Sequence, residues 1–177
     1  MKKLISMVIV LVGIYAVGPV IAEPYAPLMP LSDEGKQIMK ASGKTDAQRE
    51  KEAPTKDQID ISPYPGANLS MAVNSNGALI SVQLVSKDAP DRVIEWYKEK
   101  LVGKGWQFVP SLATKQIGEV VVFVETNNSA VNAFESMKYR QIRISEVNKP
   151  DDVGFAGMFG DLSGIKTAIS IQIKPIM

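Results

Sequence analysis

The chain has 177 residues, of which 20 are lysine or arginine, 19 are aspartate or glutamate, and none is histidine or cysteine. This composition excludes disulfides, thiolate and imidazole metal ligands, and catalysis by a histidine base or a cysteine nucleophile. The balanced charge offers no basic surface for nucleic acid. We therefore expect no metal, no other cofactor and no nucleic-acid partner.

Residues 1–22 have the pattern of an export signal. Two lysines precede an apolar run over residues 4–17, and Ala22 ends a segment that signal peptidase would recognise. Cleavage would leave a periplasmic or secreted protein. The alternative is an uncleaved anchor, because the apolar stretch just reaches the length that spans a bilayer. This segment would then be the protein's contact with the membrane. No cysteine follows the cut, so acylation as a lipoprotein is excluded.

Residues 23–60 are rich in proline and charge, with 14 charged side chains. Such a composition is typical of a solvated segment. We predict a polar tether with one short helix, which Ser32 caps and which extends through Gln48 or beyond. The ordered domain is then expected to span residues 61–177.

The rest of the chain predicts an α+β domain. Strand-like alternation or β-branched runs occur in six segments, and Asn76-Gly77 predicts a hairpin turn between the first two. The predicted strands are residues 69–73, 78–86, 106–110, 119–126, 138–147 and 166–174. We expect an antiparallel sheet of about five or six strands with one main helix packed on one face.

The main helix is predicted after Asp88, which we expect to cap it. Val93, Tyr97 and Leu101 recur at helical spacing and form an apolar stripe that would face the sheet. Trp96 lies off that stripe. Trp96 is therefore a better candidate than Tyr97 for contact with a partner.

The strand alternation also predicts a polar face. Antiparallel sheets often leave one face to water, and polar side chains such as Arg143 would lie opposite the isoleucines. If the polar faces of the strands coincide, the sheet presents a polar concave surface, which is either a binding site or plain solvated sheet. These residues are Ser81, Gln83, Arg143, Ser145, Ser170 and Gln172.

Residues 154–164 form a glycine-rich loop with several large apolar side chains. Its spacing fits neither a P-loop nor a dinucleotide fingerprint. The loop would either insert these side chains into a membrane or partner groove, or fold them back onto the sheet edge. The candidate binding residues of the chain are thus Trp96, Arg143, Phe155, Met158 and Phe159.

One region resembles a group of uncharacterised exported bacterial proteins. It begins with Pro63-Tyr64-Pro65-Gly66-Ala67, continues through Asp88-Ala89-Pro90 and Trp96-Tyr97, and ends with Gly105-Trp106. The shared pattern is YPGA…DxPxxVxxWYxxxL…GW. Many of those proteins are lipoproteins, whereas this chain lacks the lipidated cysteine. The resemblance implies a small α+β domain and no known activity, so no catalytic residue is carried over.

Two classes of function remain. The first is an exported, non-catalytic binding or interaction module of the cell envelope, whose partner is an envelope protein or a lipid. A lipid- or glycan-binding protein is a related alternative. The second class is a hydrolase that uses paired carboxylates or Ser163 with Lys166. Its candidate acids are Asp88, Asp91, Glu119, Glu125, Asp151, Asp152 and Asp161. No pair of these acids stands out, so we expect binding rather than catalysis.

Overall fold

The computed structural model describes residues 23–109, 120–128, 131, 133–153 and 156–174. The predicted export signal over residues 1–22, Glu119 and the candidate Phe155 lie outside these described residues. None of the helices in this part of the chain combines the length and the apolar character that a membrane span requires.

A six-stranded antiparallel sheet is the centre of the fold, which confirms the predicted α+β class. Its strands lie in the order β1-β2-β6-β5-β4-β3. The strands are β1 (Asn68–Ser75), β2 (Ala78–Ser86), β3 (Trp106–Val109), β4 (Val120–Glu125), β5 (Gln141–Glu146) and β6 (Thr167–Gln172). The described helices are α1 (Asp33–Ala41), α2 (Asp46–Glu52), α3 (Pro90–Leu101) and α4 (Ala133–Ser136). The last strand, β6, pairs with both β2 and β5 and so joins the two halves of the sheet.

A tight turn at Asn76 and Gly77 joins β1 to β2. Their φ angles are 51° and 74°, and a two-residue type I′ turn requires positive values at both positions. Asparagine and glycine accept this conformation more readily than other residues. The predicted hairpin is confirmed.

The main helix, α3, packs on one face of the sheet against β5 and β3. Val93 and Tyr97 of the predicted stripe are buried there. The sheet contributes apolar residues from its four inner strands to the same core: Val82, Leu84, Phe123, Ile142, Ile144, Ile169 and Ile171. On β2, β5 and β6 polar side chains alternate with these core residues and lie on the face that α3 does not cover. On β4 the alternate positions are Val122 and Val124, which belong to a separate apolar cluster.

The predicted cap of α3 is wrong. The helix follows Ala89 and has no side-chain cap. Asp88 instead accepts a hydrogen bond from Tyr64 Oη at 2.8 Å and one from Arg92 at 3.1 Å. Because the Asp88 carboxylate accepts hydrogen bonds both from Tyr64, in the turn that precedes β1, and from Arg92 of α3, it links that turn to the helix.

Residues 23–60, which we call the N-terminal arm, pack against the sheet. Tyr25 is 1% exposed and Met29 is 3% exposed. Tyr25 Oη donates a hydrogen bond to the Ile61 carbonyl oxygen at 2.7 Å, and the Met29 N–H donates to the Leu69 carbonyl oxygen at 2.8 Å. The expected solvated tether does not describe these residues, because burial of apolar side chains holds the arm beside β1.

The helix predicted in the arm begins as expected and ends earlier. Ser32 caps α1 by accepting a hydrogen bond from the Gly35 N–H at 2.9 Å. The helix stops before Gly43, whose φ of 74° breaks helical geometry. It therefore does not extend through Gln48, which instead forms a capping box with Thr45 at the start of α2.

Candidate functional site

An apolar groove lies between the N-terminal arm and β1, which is an edge strand of the sheet. We call it the edge groove, and its cavity volume is about 340 Å³. This volume falls in the range of small-molecule sites, roughly 300–1,000 Å³. Its apolar lining comes from the arm, from β1 and from the glycine-rich loop and includes Leu28, Leu31, Met39, Leu69, Met71 and Met158.

Backbone contacts hold the walls of the edge groove together. Leu28 forms a parallel bridge with Leu69 at the start of β1. The Ser32 N–H donates to the Met158 carbonyl oxygen at 3.0 Å, and Ser32 Oγ donates to the Gly157 carbonyl oxygen at 2.7 Å. The arm is therefore tied both to the edge strand and to the glycine-rich loop.

Arg49 places a positive charge in this groove. Its Nη2 donates a hydrogen bond to the Met29 carbonyl oxygen at 2.8 Å. Lys44 and Glu52, which also line the groove, form an ion pair with each other. Arg49 forms no ion pair with any described carboxylate, although two acidic neighbours on α2 act on it at longer range. Partial burial lowers the pKa of Arg49, but a guanidinium stays protonated at neutral pH.

A second concave surface lies on the face of the sheet away from the main core. Strand pairing aligns Ser81 with Gln172 and Gln172 with Gln141, while Arg143 pairs with Ser170 in the next row. The predicted coincidence of the polar strand faces is confirmed. These five residues line a cavity of about 280 Å³, which we call the polar sheet site.

Hydrogen bonds fix the amides of the polar sheet site. Gln141 Nε2 donates to Gln172 Oε1 at 2.7 Å, and Gln172 Nε2 donates to the Lys174 carbonyl oxygen at 2.8 Å. Arg143 Nε donates to Gln141 Oε1 at 3.3 Å. Gln141 is 1% exposed and Gln172 is 9% exposed, whereas Arg143 is exposed. The accessible guanidinium of Arg143 is thus hydrogen-bonded to the buried amide of Gln141, which in turn is hydrogen-bonded to that of Gln172.

The predicted site residues are distributed over different surfaces. Arg143 belongs to the polar sheet site, and both Met158 and Phe159 line the edge groove. Phe159 is 6% exposed and packs in a core cluster with Met29. It therefore folds back onto the sheet and does not project as a membrane-inserting side chain would.

Trp96 packs among aromatic neighbours on α3 and beside it. Its ring centroid lies 5.6 Å from that of Tyr64 and 4.8 Å from that of Tyr97, both edge-on. Edge-to-face contacts of this kind stabilise an aromatic cluster. Trp96 is partly buried and lines neither concave surface, so its contact with a partner stays a prediction.

The sequence interpretation missed the contribution of the arm to the edge groove. Met39 and Arg49 both line the groove, yet they fall in the segment interpreted as a tether. One signal was available, because Thr45 and Gln48 have the spacing of a capping box. That spacing predicts a second helix and places Arg49 on it.

Several of the acids considered for catalysis have structural contacts. Asp152 accepts hydrogen bonds from two backbone N–H groups, and Glu125 forms an ion pair with Arg140. Asp161 accepts a hydrogen bond from the Ser163 N–H at 2.8 Å, and the contact with Ser163 lowers the pKa of Asp161. Over the described ranges, no group of three or more potential metal ligands converges. The hydrolase alternative stays a prediction.

Residues 68–132 match the model of a family described as START domain-like. The match covers a little over a third of the chain and includes the β1–β2 hairpin, α3, β3 and β4. No curated protein and no solved structure matches the chain. The chain is therefore similar, over this part, to an uncharacterised START domain-like family, and its α+β architecture is consistent with that similarity.

Proposed function

We propose that this protein is a non-catalytic binding module of the bacterial cell envelope whose edge groove holds a small molecule with an apolar tail and a carboxylate. The observation that carries the proposal is a guanidinium, that of Arg49, which lines an apolar groove without an ion pair to a described residue. Similarity to the START domain-like family over residues 68–132 supports a ligand-binding module. The envelope location rests on the export signal predicted for residues 1–22.

The apolar tail is assigned to the groove wall. Met39, Met71 and Met158 line it together with leucines from the arm and β1. Methionine side chains adapt to irregular apolar shapes. Each Å² of apolar surface that the tail and the wall remove from water contributes about 25 cal/mol to binding.

The carboxylate is assigned to Arg49. One guanidinium nitrogen is held by the Met29 carbonyl oxygen, which orients the side chain and leaves further N–H groups for a ligand. A guanidinium binds a carboxylate through two parallel hydrogen bonds. Partial burial already disfavours the isolated charge of Arg49, so an anionic partner would offset that cost.

Calorimetric titration with decanoate and decanol tests the assignment of the carboxylate. Replacement of the charge in Arg49→Gln should weaken decanoate binding about tenfold, because the charged hydrogen bonds are lost. Decanol binding should stay unchanged, since an alcohol does not use the charge. Arg49→Lys should retain part of the decanoate affinity, and Arg92→Gln, at an exposed arginine on α3, is the matched control.

A second pair of variants tests the wall. Met158→Lys should abolish the binding of both decanoate and decanol, because the ammonium group would lie in the apolar groove. Met137→Lys is the control, since Met137 is 37% exposed and lies in the polar sheet site. Absence of decanoate binding in the unaltered protein, or equal losses in the two methionine variants, would contradict the proposal.

A further inference from the structure

We infer a second binding site: the polar sheet site accommodates a monosaccharide-sized sugar acid, with its carboxylate on Arg143 and its hydroxyl groups on the neighbouring amides and serines. This site lies on strands β2, β5 and β6, away from the edge groove. The inference is independent of the proposed function. Either site can fail its test without affecting the other.

The positive charge of Arg143 indicates that a ligand of the polar sheet site carries a carboxylate. Arg143 is the charged residue among those that line the described cavity, and the lining includes no carboxylate. Its Nε bonds to Gln141, while its two terminal nitrogens form no hydrogen bond with a described residue. These nitrogens present the planar donor pair that matches a carboxylate. One guanidinium balances one negative charge, which favours a carboxylate over a doubly charged phosphate.

The buried side-chain amides of Gln141 and Gln172 indicate that the ligand also carries hydroxyl groups. Gln141 and Gln172 each use one N–H within the hydrogen-bonded chain, and an amide nitrogen carries a second N–H. An N–H in a buried position costs free energy when it has no acceptor. Ligand hydroxyls are uncharged groups that accept hydrogen bonds from these N–H groups. They also donate to the free lone pairs of the amide oxygens.

The remaining lining fits a single sugar ring. Ser81 and Ser170 lie on neighbouring strands of the same face, and their hydroxyls both donate and accept. Ile80 and Met137 add an apolar edge, against which the C–H face of a sugar ring packs. Three adjacent strands span roughly 10 Å. The cavity of about 280 Å³ therefore limits the ligand to a small molecule.

Nuclear magnetic resonance titration of the ¹⁵N-labelled protein with glucuronate tests the inference. We expect shifts of the side-chain amide signals of Gln141 and Gln172 and of the backbone signals of β5 and β6. Glucose, which lacks the carboxylate, and acetate, which lacks the hydroxyls, should each bind at least about tenfold more weakly. Equal affinity for glucose would overturn the role of Arg143, and equal affinity for acetate would overturn the sugar assignment.

Variants separate binding from folding. Arg143→Gln should weaken glucuronate binding about tenfold without changing the thermal unfolding midpoint, because Arg143 is exposed. Arg92→Gln, which lies outside this site, should bind glucuronate as the unaltered protein does. Absence of shifts at tens of millimolar glucuronate, or unchanged affinity in Arg143→Gln, would overturn the inference.

Discussion

A single glycine allows the N-terminal arm to approach the glycine-rich loop. A Cβ atom built on Gly35 would lie 2.1 Å from the Met158 carbonyl oxygen and 2.9 Å from its carbon. Both atoms belong to the backbone, so a flexible side chain cannot move aside to make room. Because Met158 also lines the edge groove, this contact helps to set the position of one groove wall.

Gly35→Ala should therefore lower the free energy of unfolding by about 1–3 kcal/mol, the usual cost of overpacking. Urea unfolding followed by circular dichroism measures this change. Gly157→Ala is the matched control, because the nearest atom to its Cβ would be Glu34 Oε2 at 3.9 Å. Equal stability of Gly35→Ala and the unaltered protein would contradict the close approach.

Individual site residues were predictable only in part. Arg143 was identified because strand alternation shows which side chains share a face. Arg49 was not, because a groove between an arm and a sheet edge depends on contacts between distant parts of the chain. The interpretation of Asp88 as a cap failed for a related reason: its partner Tyr64 lies 24 positions away.

At the scale of elements, the arm and the edge strand form one unit. Leu69 N–H donates to the Pro27 carbonyl oxygen at 2.7 Å, and its carbonyl oxygen accepts from Met29. Arg140 adds an ion pair with Asp60 at the end of the arm, which lowers the pKa of Asp60. The backbone bonds between Leu69 and the arm cover the start of β1, so this part of the edge is not open to pairing with another chain.

Truncation of a buried arm side chain should destabilise the whole domain. We expect Met29→Ala to lower the free energy of unfolding by about 2–5 kcal/mol, because it leaves a cavity in a packed cluster. Ile38→Ala is the control, since Ile38 is 46% exposed, and its effect should stay within about 0.5 kcal/mol. If Met29→Ala unfolds at the same urea concentration as the unaltered protein, the arm is a tether after all.

The strands were predictable because their periodicity is local. The segment 78–86 agrees with β2 at both ends, and the Asn76-Gly77 turn fixes the register of the hairpin. The arm has no such pattern. Its buried residues, such as Tyr25 and Met29, lie among prolines without a regular spacing, and composition alone suggested a solvated segment.

At the scale of the molecule, the two sides of one sheet have different roles. The side that faces α3 holds the main core, which includes the aromatic cluster of Tyr64, Trp96 and Tyr97. The other side carries the polar sheet site, and the arm forms the groove along the edge. The fold therefore places the two candidate sites on different parts of the same sheet.

Buried tyrosines should make the domain sensitive to alkaline pH. Desolvation raises the pKa of Tyr25 and Tyr97 in the folded protein. The unfolded chain then releases protons that the folded chain keeps, so stability is fully present below about pH 10 and falls as the pH rises above it. Urea unfolding between pH 8 and pH 11 measures this dependence.

Tyr25→Phe isolates one of these groups. The variant loses the hydrogen bond to the Ile61 carbonyl oxygen at every pH, so only the pH dependence is compared. Between pH 10 and pH 11 it should lose about 1 kcal/mol less than the unaltered protein. Parallel curves of stability against pH for the two proteins would mean that Tyr25 loses its proton over the same pH range in the folded and unfolded states.

The edge groove as a ligand site is tested most directly by contacts between decanoate and the methionine methyl groups. The measurement is a set of intermolecular nuclear Overhauser effects in protein labelled with ¹³C at those methyls. We predict effects from the decanoate chain to Met39, Met71 and Met158, which line the groove, and none to Met137 on the polar sheet site. Effects to Met137 alone, or none to any methionine, would contradict the account.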